Sequence, residues 1–220
     1  MSKTGRLTLT LVLFVLVVAG LVIAVVNLLG EPPTVTFTAD QSGQVDINLQ
    51  TVGAYGLPPH PTWVSYMTMD PQGQWQHTTL WQVPAHTRIN VTIYQYDSGS
   101  PLRNQQVGLI TGTIGGVATL NGKTVHLIDS NSGNGVAHTF SMPTLGINVP
   151  LYGDSGTANL CGAAPCTTSS PHNVITFSFM SPGPGEYPWQ CFVPCGLGWL
   201  FGNGGPMQTV GYMDGFMKVA

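Results

Sequence analysis

Four cysteines fall in two close pairs, Cys161-Gly-Ala-Ala-Pro-Cys166 and Cys191-Phe-Val-Pro-Cys195. An even count in a protein outside the cytoplasm reads first as disulfides. The Gly/Pro turn between Cys161 and Cys166, with no ligand type around it, fits that reading. Cys191 and Cys195 have a different setting. Gly183-Pro-Gly-Glu-Tyr-Pro-Trp-Gln-Cys191 is a turn leading into a strand that delivers a cysteine to a loop. Cys195-Gly-Leu-Gly198 follows, and Tyr212-Met-Asp-Gly215 opens the last strand. Upstream, Val136-Ala-His-Thr-Phe-Ser-Met-Pro-Thr-Leu-Gly146 supplies His138 at a strand end. Thiolate, thioether and imidazole together make a soft donor set suited to a transition metal, provided a rigid frame brings them to one point.

The frame is legible as short alternating runs separated by Gly, Pro, Asn and Asp. Thr34-Val-Thr-Phe-Thr38, Gln44-Val-Asp-Ile-Asn-Leu49, Arg88-Ile-Asn-Val-Thr-Ile-Tyr94 and Asn173-Val-Ile-Thr-Phe-Ser-Phe179 all alternate with period two, and Gly215-Phe-Met-Lys-Val219 reads as a closing edge strand. Such spacing argues for an all-β sandwich or barrel. The Gly-, Thr- and Asn-rich segment 104–135 reads as an added hairpin or long loop. Trp81 and Trp189 are expected in the core. His60, His77, His86 and His126 sit in loop-like settings and are expected to be solvated or hydrogen-bonded.

Leu7 to Leu29 is an apolar run interrupted only by Thr8, Thr10 and Asn27. About 20 such residues span a bilayer core, and the run exceeds the ~7–15 residues of a signal-peptide core. It therefore reads as a retained anchor over residues 1–30, with residues 31–220 forming one exterior domain. Lys3 and Arg6 precede the run, which places the N-terminus in the cytoplasm and the domain in the periplasm or outside the cell. Only 7% of the 220 residues are charged, with 6 Lys+Arg against 9 Asp+Glu. So few cations exclude a nucleic-acid surface, and nine scattered acids offer no carboxylate pair for hydrolysis. The charge deficit persists outside the anchor, which suits a domain covered by partner subunits or facing an acidic medium.

The order of a distant His, then Cys, loop and Met before a final strand is that of a cupredoxin copper site. His138-Thr-Phe-Ser-Met resembles the His-Ser-Phe motif of subunit II of cytochrome c oxidase. Pro184-Gly-Glu-Tyr-Pro-Trp-Gln-Cys191-Phe-Val-Pro-Cys195-Gly-Leu-Gly resembles the motif that carries that family's binuclear copper A centre. The single anchor and the Met213-Asp-Gly ending are most similar to the one-helix subunit II of B-type oxidases. The resemblance implies a cupredoxin-like Greek-key β-sandwich on one N-terminal transmembrane helix. It also implies a copper ligand set of His138, Cys191, Cys195 and Met213, with the Val193 carbonyl completing it. Implied partners are the integral-membrane subunits of an oxidase and a small redox donor protein.

One position departs from the family. Its second histidine follows Cys-Gly-x-x, and here that place is Trp199, an indole that cannot ligate. The stretch Leu200 to Gln208 is a further insertion. Three outcomes stay open: a single copper held by His138, a cysteine and Met213 or Met207; a replacement ligand, for which His172 is the candidate; or a metal-free structural subunit. The functional expectation is accordingly a membrane-anchored electron-transfer subunit resembling oxidase subunit II. The alternative is a structural or assembly subunit of an oxidase or of a copper-dependent membrane monooxygenase.

Overall fold

The computed structural model describes residues 2–29, 32–55, 62–154, 161, 163–195 and 205–220, and only the backbone of residues 27–29. The chain divides into two compact units, Met1–Glu31 and Pro32–Ala220. In the first, Lys3–Leu29 forms one continuous helix, α1, of 27 residues. At 1.5 Å per residue it runs about 40 Å, enough to cross a bilayer core. The hydroxyls of Thr8 and Thr10 donate to the Thr4 and Arg6 carbonyls one turn back, at 3.0 and 2.9 Å, so these polar interruptions are satisfied within the helix. Side chains from Leu7 to Val26 are exposed in this unit. An apolar surface of that length needs a non-aqueous neighbour, as a membrane anchor or a signal sequence has.

The second unit is strand, turn and short 3-10 segments. Its strands are β1 (Val35–Thr36), β2 (Gln44–Tyr55), β3 (Trp63–Met69), β4 (Trp75–Gln76), β5 (Leu80–Val83), β6 (Arg88–Gln95), β7 (Ala118–Leu120), β8 (Lys123–Val125), β9 (Val136–Met142), β10 (Ile147–Tyr152), β11 (Asn173–Met180), β12 (Gly185–Gln190) and β13 (Asp214–Val219). They form a six-stranded sheet, β1-β5-β13-β12-β9-β10, and a seven-stranded sheet, β4-β3-β2-β6-β11-β7-β8. Both are mixed, with β1–β5, β5–β13 and β2–β6 parallel. The expected alternation is present: β6 and β11 bury every second residue. One core joins the two sheets, with Trp81, Phe140 and Trp189 from the first meeting Leu49, Tyr66 and Val91 from the second. Each such side chain, removed from water, contributes roughly 1.5–3 kcal/mol. The all-β sandwich class is thus the observed one, on a chain with a single N-terminal apolar helix.

Two local expectations meet different outcomes. Segment 104–135 contains two 3-10 turns, Gln105–Gly108 and Ile114–Gly116, and the β7–β8 hairpin. That hairpin turns on Asn121 and Gly122, both with positive φ (49° and 79°), the backbone that two-residue hairpin turns require. By contrast, the last strand is not an edge. β13 lies inside its sheet, antiparallel to β12 and parallel to β5. The reason is Leu80–Val83, a run of four residues too short to announce itself, which occupies the other side of β13.

Candidate metal centre

His138 is the third residue of β9 and shares a strand face with Phe140 and Met142, the face turned into the core. Cys191 follows the last residue of β12, and Cys195 closes the next loop. The imidazole Nδ1 lies 3.1 Å from Cys195 Sγ and 3.9 Å from Cys191 Sγ, and the two sulfurs are 3.2 Å apart. These three donor atoms lie within 4.8 Å of one another, the one such cluster among the described residues. All three residues are buried. Cys191 and Cys195 are free thiols, whereas Cys161 and Cys166 are joined in a disulfide that belongs to a separate small cluster with Val52 and Tyr96.

The loop is pinned from several sides. The Cys191 N–H donates to the Met213 carbonyl at 3.0 Å and the Phe192 N–H to Thr139 Oγ1 at 2.8 Å. The Cys195 N–H donates to the thioether of Met207 at 3.2 Å. The Val193 carbonyl turns inward, 2.9 Å from Cys195 Sγ and 3.5 Å from Cys191 Sγ. Across the sandwich, Tyr66 of β3 donates its hydroxyl to the Thr139 carbonyl at 2.9 Å, tying the facing sheet to the site. Burial, followed by the charges of Cys191 and Cys195, pushes the Tyr66 phenol well above its usual range.

Asp97, two residues beyond β6, completes the arrangement and was not singled out in the sequence. Its Oδ2 accepts from His138 Nε2 at 3.0 Å, which leaves Nδ1 facing the sulfurs. The side chain of Gln95 brackets the Asp97 backbone, donating to its carbonyl at 3.1 Å and accepting from its N–H at 3.3 Å. The only sequence signal was a lone acid in a charge-poor chain.

The charges follow from this geometry. Burial disfavours the His138 imidazolium, yet the hydrogen bonds and charges of Asp97 and Cys191 outweigh it and raise the ring to about 9. Burial likewise opposes ionisation of Asp97, and the His138 hydrogen bond and charge reverse this to hold it below its usual value. For Cys191, burial is overcome by hydrogen bonds from Cys195 and His138, and the thiol falls well below its ordinary value. Cys195 is pushed well above, first by its hydrogen bond to Cys191 and then by burial. The geometry thus favours the charged forms of His138 and Cys191 and disfavours ionisation of Cys195.

Of the four ligands expected from the sequence, three converge. Met213 is fully buried with its backbone bonded to Cys191, placing the residue directly beside the loop. His172 does not join: it packs against Tyr96 at a centroid distance of 4.8 Å, with Nδ1 2.6 Å from the Ser170 carbonyl. His77 is 2.8 Å from Ser65 Oγ and stacks on Tyr55. Trp199, His60 and residues 200–204 of the insertion lie outside the described residues.

No family model matches the chain, and no curated protein does. Among solved structures it is similar to reduced rusticyanin, 16% identical over 84% of each chain with a TM-score of 0.32. It is likewise similar to rusticyanin from Thiobacillus ferrooxidans, 16% identical over 84% of this chain and 82% of that one, with a TM-score of 0.30. So loose a superposition carries no weight for the ligand set, which rests on the convergence of His138, Cys191 and Cys195.

Proposed function

We propose that this chain is a membrane-anchored, cupredoxin-like electron-transfer protein whose copper is held by His138, Cys191 and Cys195. Met213 and the Val193 carbonyl complete the set. The observation that carries this reading is the buried convergence of one imidazole nitrogen and two unbridged thiols within 4.8 Å. Two thiols this close, with a backbone carbonyl turned toward both, fit a soft metal far better than an apolar core. Copper held there would supply a one-electron couple. The residues themselves do the rest. Burial of His138 and both cysteines would keep water from a bound copper, and the hydrogen bonds from Cys191, Phe192 and Cys195 hold the loop in place. Asp97 holds the imidazole by Nε2, so that Nδ1 faces inward.

With α1 as a retained anchor, the N-terminus lies in the cytoplasm and the domain in the periplasm or outside the cell. On the oxidase resemblance, the chain would pass electrons from a small redox donor protein to an integral-membrane oxidase. The test is copper reconstitution of the full chain in detergent, with thiols reduced. Stoichiometric copper with thiolate-to-copper absorption, lost in Cys191→Ser and in Cys195→Ser, is the expected result. The copper-to-chain ratio distinguishes a one-ion from a two-ion centre. A reduced, folded chain that takes up no copper sinks the proposal in favour of a structural subunit.

A further inference from the structure

A cleft of about 870 Å³ opens beside the cysteine loop, and Asp97, His138, Val193 and Cys195 contribute to its wall. Its size is that of a small-molecule site, yet the donors in and behind its wall are nearly shut off from bulk water. His138 is 3% exposed, Cys195 4% and Cys191 0%. Among the described lining residues there is no Lys or Arg, and the one carboxylate is Asp97, whose side chain is 23% exposed. Trp63, Val64, Leu102, Val136 and Ala137 make most of the remaining wall apolar. Asp97 is paired on this wall with the His138 ring it holds, so the described wall presents no unpaired cation to an arriving metal ion. Behind it the sulfurs already stand 3.2 Å apart, so an arriving ion meets an assembled donor set.

We propose that this cleft is the port through which a soft cation enters the folded chain and reaches Cys195 and His138. The proposal rests on the reading of His138, Cys191 and Cys195 as ligands, and adds to it a route. The rim is formed by exposed residues, Ser98 and Ser100 among them, which can be enlarged without touching the core.

The experiment is stopped-flow uptake of cadmium ion alone by the full-length chain in detergent, followed by the ultraviolet thiolate-to-cadmium band. Ser98→Trp and Ser100→Trp cap the rim. Thr124→Trp, on the exposed β7–β8 hairpin, is the control. Both rim variants are expected to load about tenfold or more slowly, because entry then waits for the cap to move, with the final band and stoichiometry unchanged. The control is expected to load like wild type. Rim variants that reach the full band at the wild-type rate overturn the port while leaving the ligand assignment intact. A wild-type chain that binds no cadmium overturns the ligand assignment and the port together.

Discussion

Replacing Asp97 by Asn removes a carboxylate charge while keeping an acceptor of the same size beside His138 Nε2. At 3.0 Å the gross attraction between that carboxylate and a positively charged ring is about 5 kcal/mol at an effective dielectric near 20. Water at the 23%-exposed Asp97 side chain screens part of it, and the amide retains a neutral hydrogen bond. About 1.5–3 kcal/mol remains, the usual worth of a hydrogen bond to a charged group, or about 10–100-fold in metal affinity. The loss depends on pH in a defined direction. Below about 9 the metal-free ring is itself an imidazolium, stabilised by Asp97 much as the metal-bound ring is, so the two gains offset. Above about 9 the metal-free ring is neutral and the whole loss shows. Competition for cadmium between the full chain and a chromophoric chelator, above pH about 9 and near neutrality, measures both. The affinity ratio of wild type to Asp97→Asn is expected to be clearly larger at the higher pH. Equal losses at both, or none above 9, would refute the claim that Asp97 acts through the charge on the ring.

Three further outcomes are expected. A Cβ added at Gly215 would sit 2.2 Å from the Thr79 carbonyl oxygen, which accepts from Trp189 Nε1 at 3.1 Å. Gly215→Ala should therefore lower stability by about 1–3 kcal/mol, read as a reduced denaturation midpoint. Removing the disulfide with Cys161→Ser and Cys166→Ser should cost about 2 kcal/mol by loop-entropy reasoning. The metal-binding band should not change, because that cluster is separate from the centre; a changed band would refute the separation. Met207→Leu leaves the buried Cys195 N–H without its acceptor, a cost of about 1–3 kcal/mol, and should destabilise the domain to denaturant. An unchanged midpoint would show that this contact contributes nothing.

Local pattern was informative wherever the physics is local. The helix was legible from the apolar run Leu7–Leu29, to which the structure adds one turn at the N-terminal end. β6 and β11 follow from period-two alternation, since one face of each meets the core. The Cys191–Cys195 spacing already set two thiols on one short loop, and a strand-borne histidine was legible upstream. β9 was harder to read, because all seven of its residues are buried and it shows no alternation.

What tertiary structure alone decided lies between residues far apart in the chain. The pairing of Asp97 with His138 crosses 41 positions and has no repeating pattern to betray it. His172 lies instead beside Tyr96, with its Nδ1 against the Ser170 carbonyl. The interior place of β13 depends on the four residues of β5 at its flank. The residue types thus determined which chemistry was available. The packing of two sheets, which brings a β9 imidazole, a loop after β12 and the end of β6 to one buried point, decided which groups take part. Only a closed core can hold those strand ends within hydrogen-bonding distance.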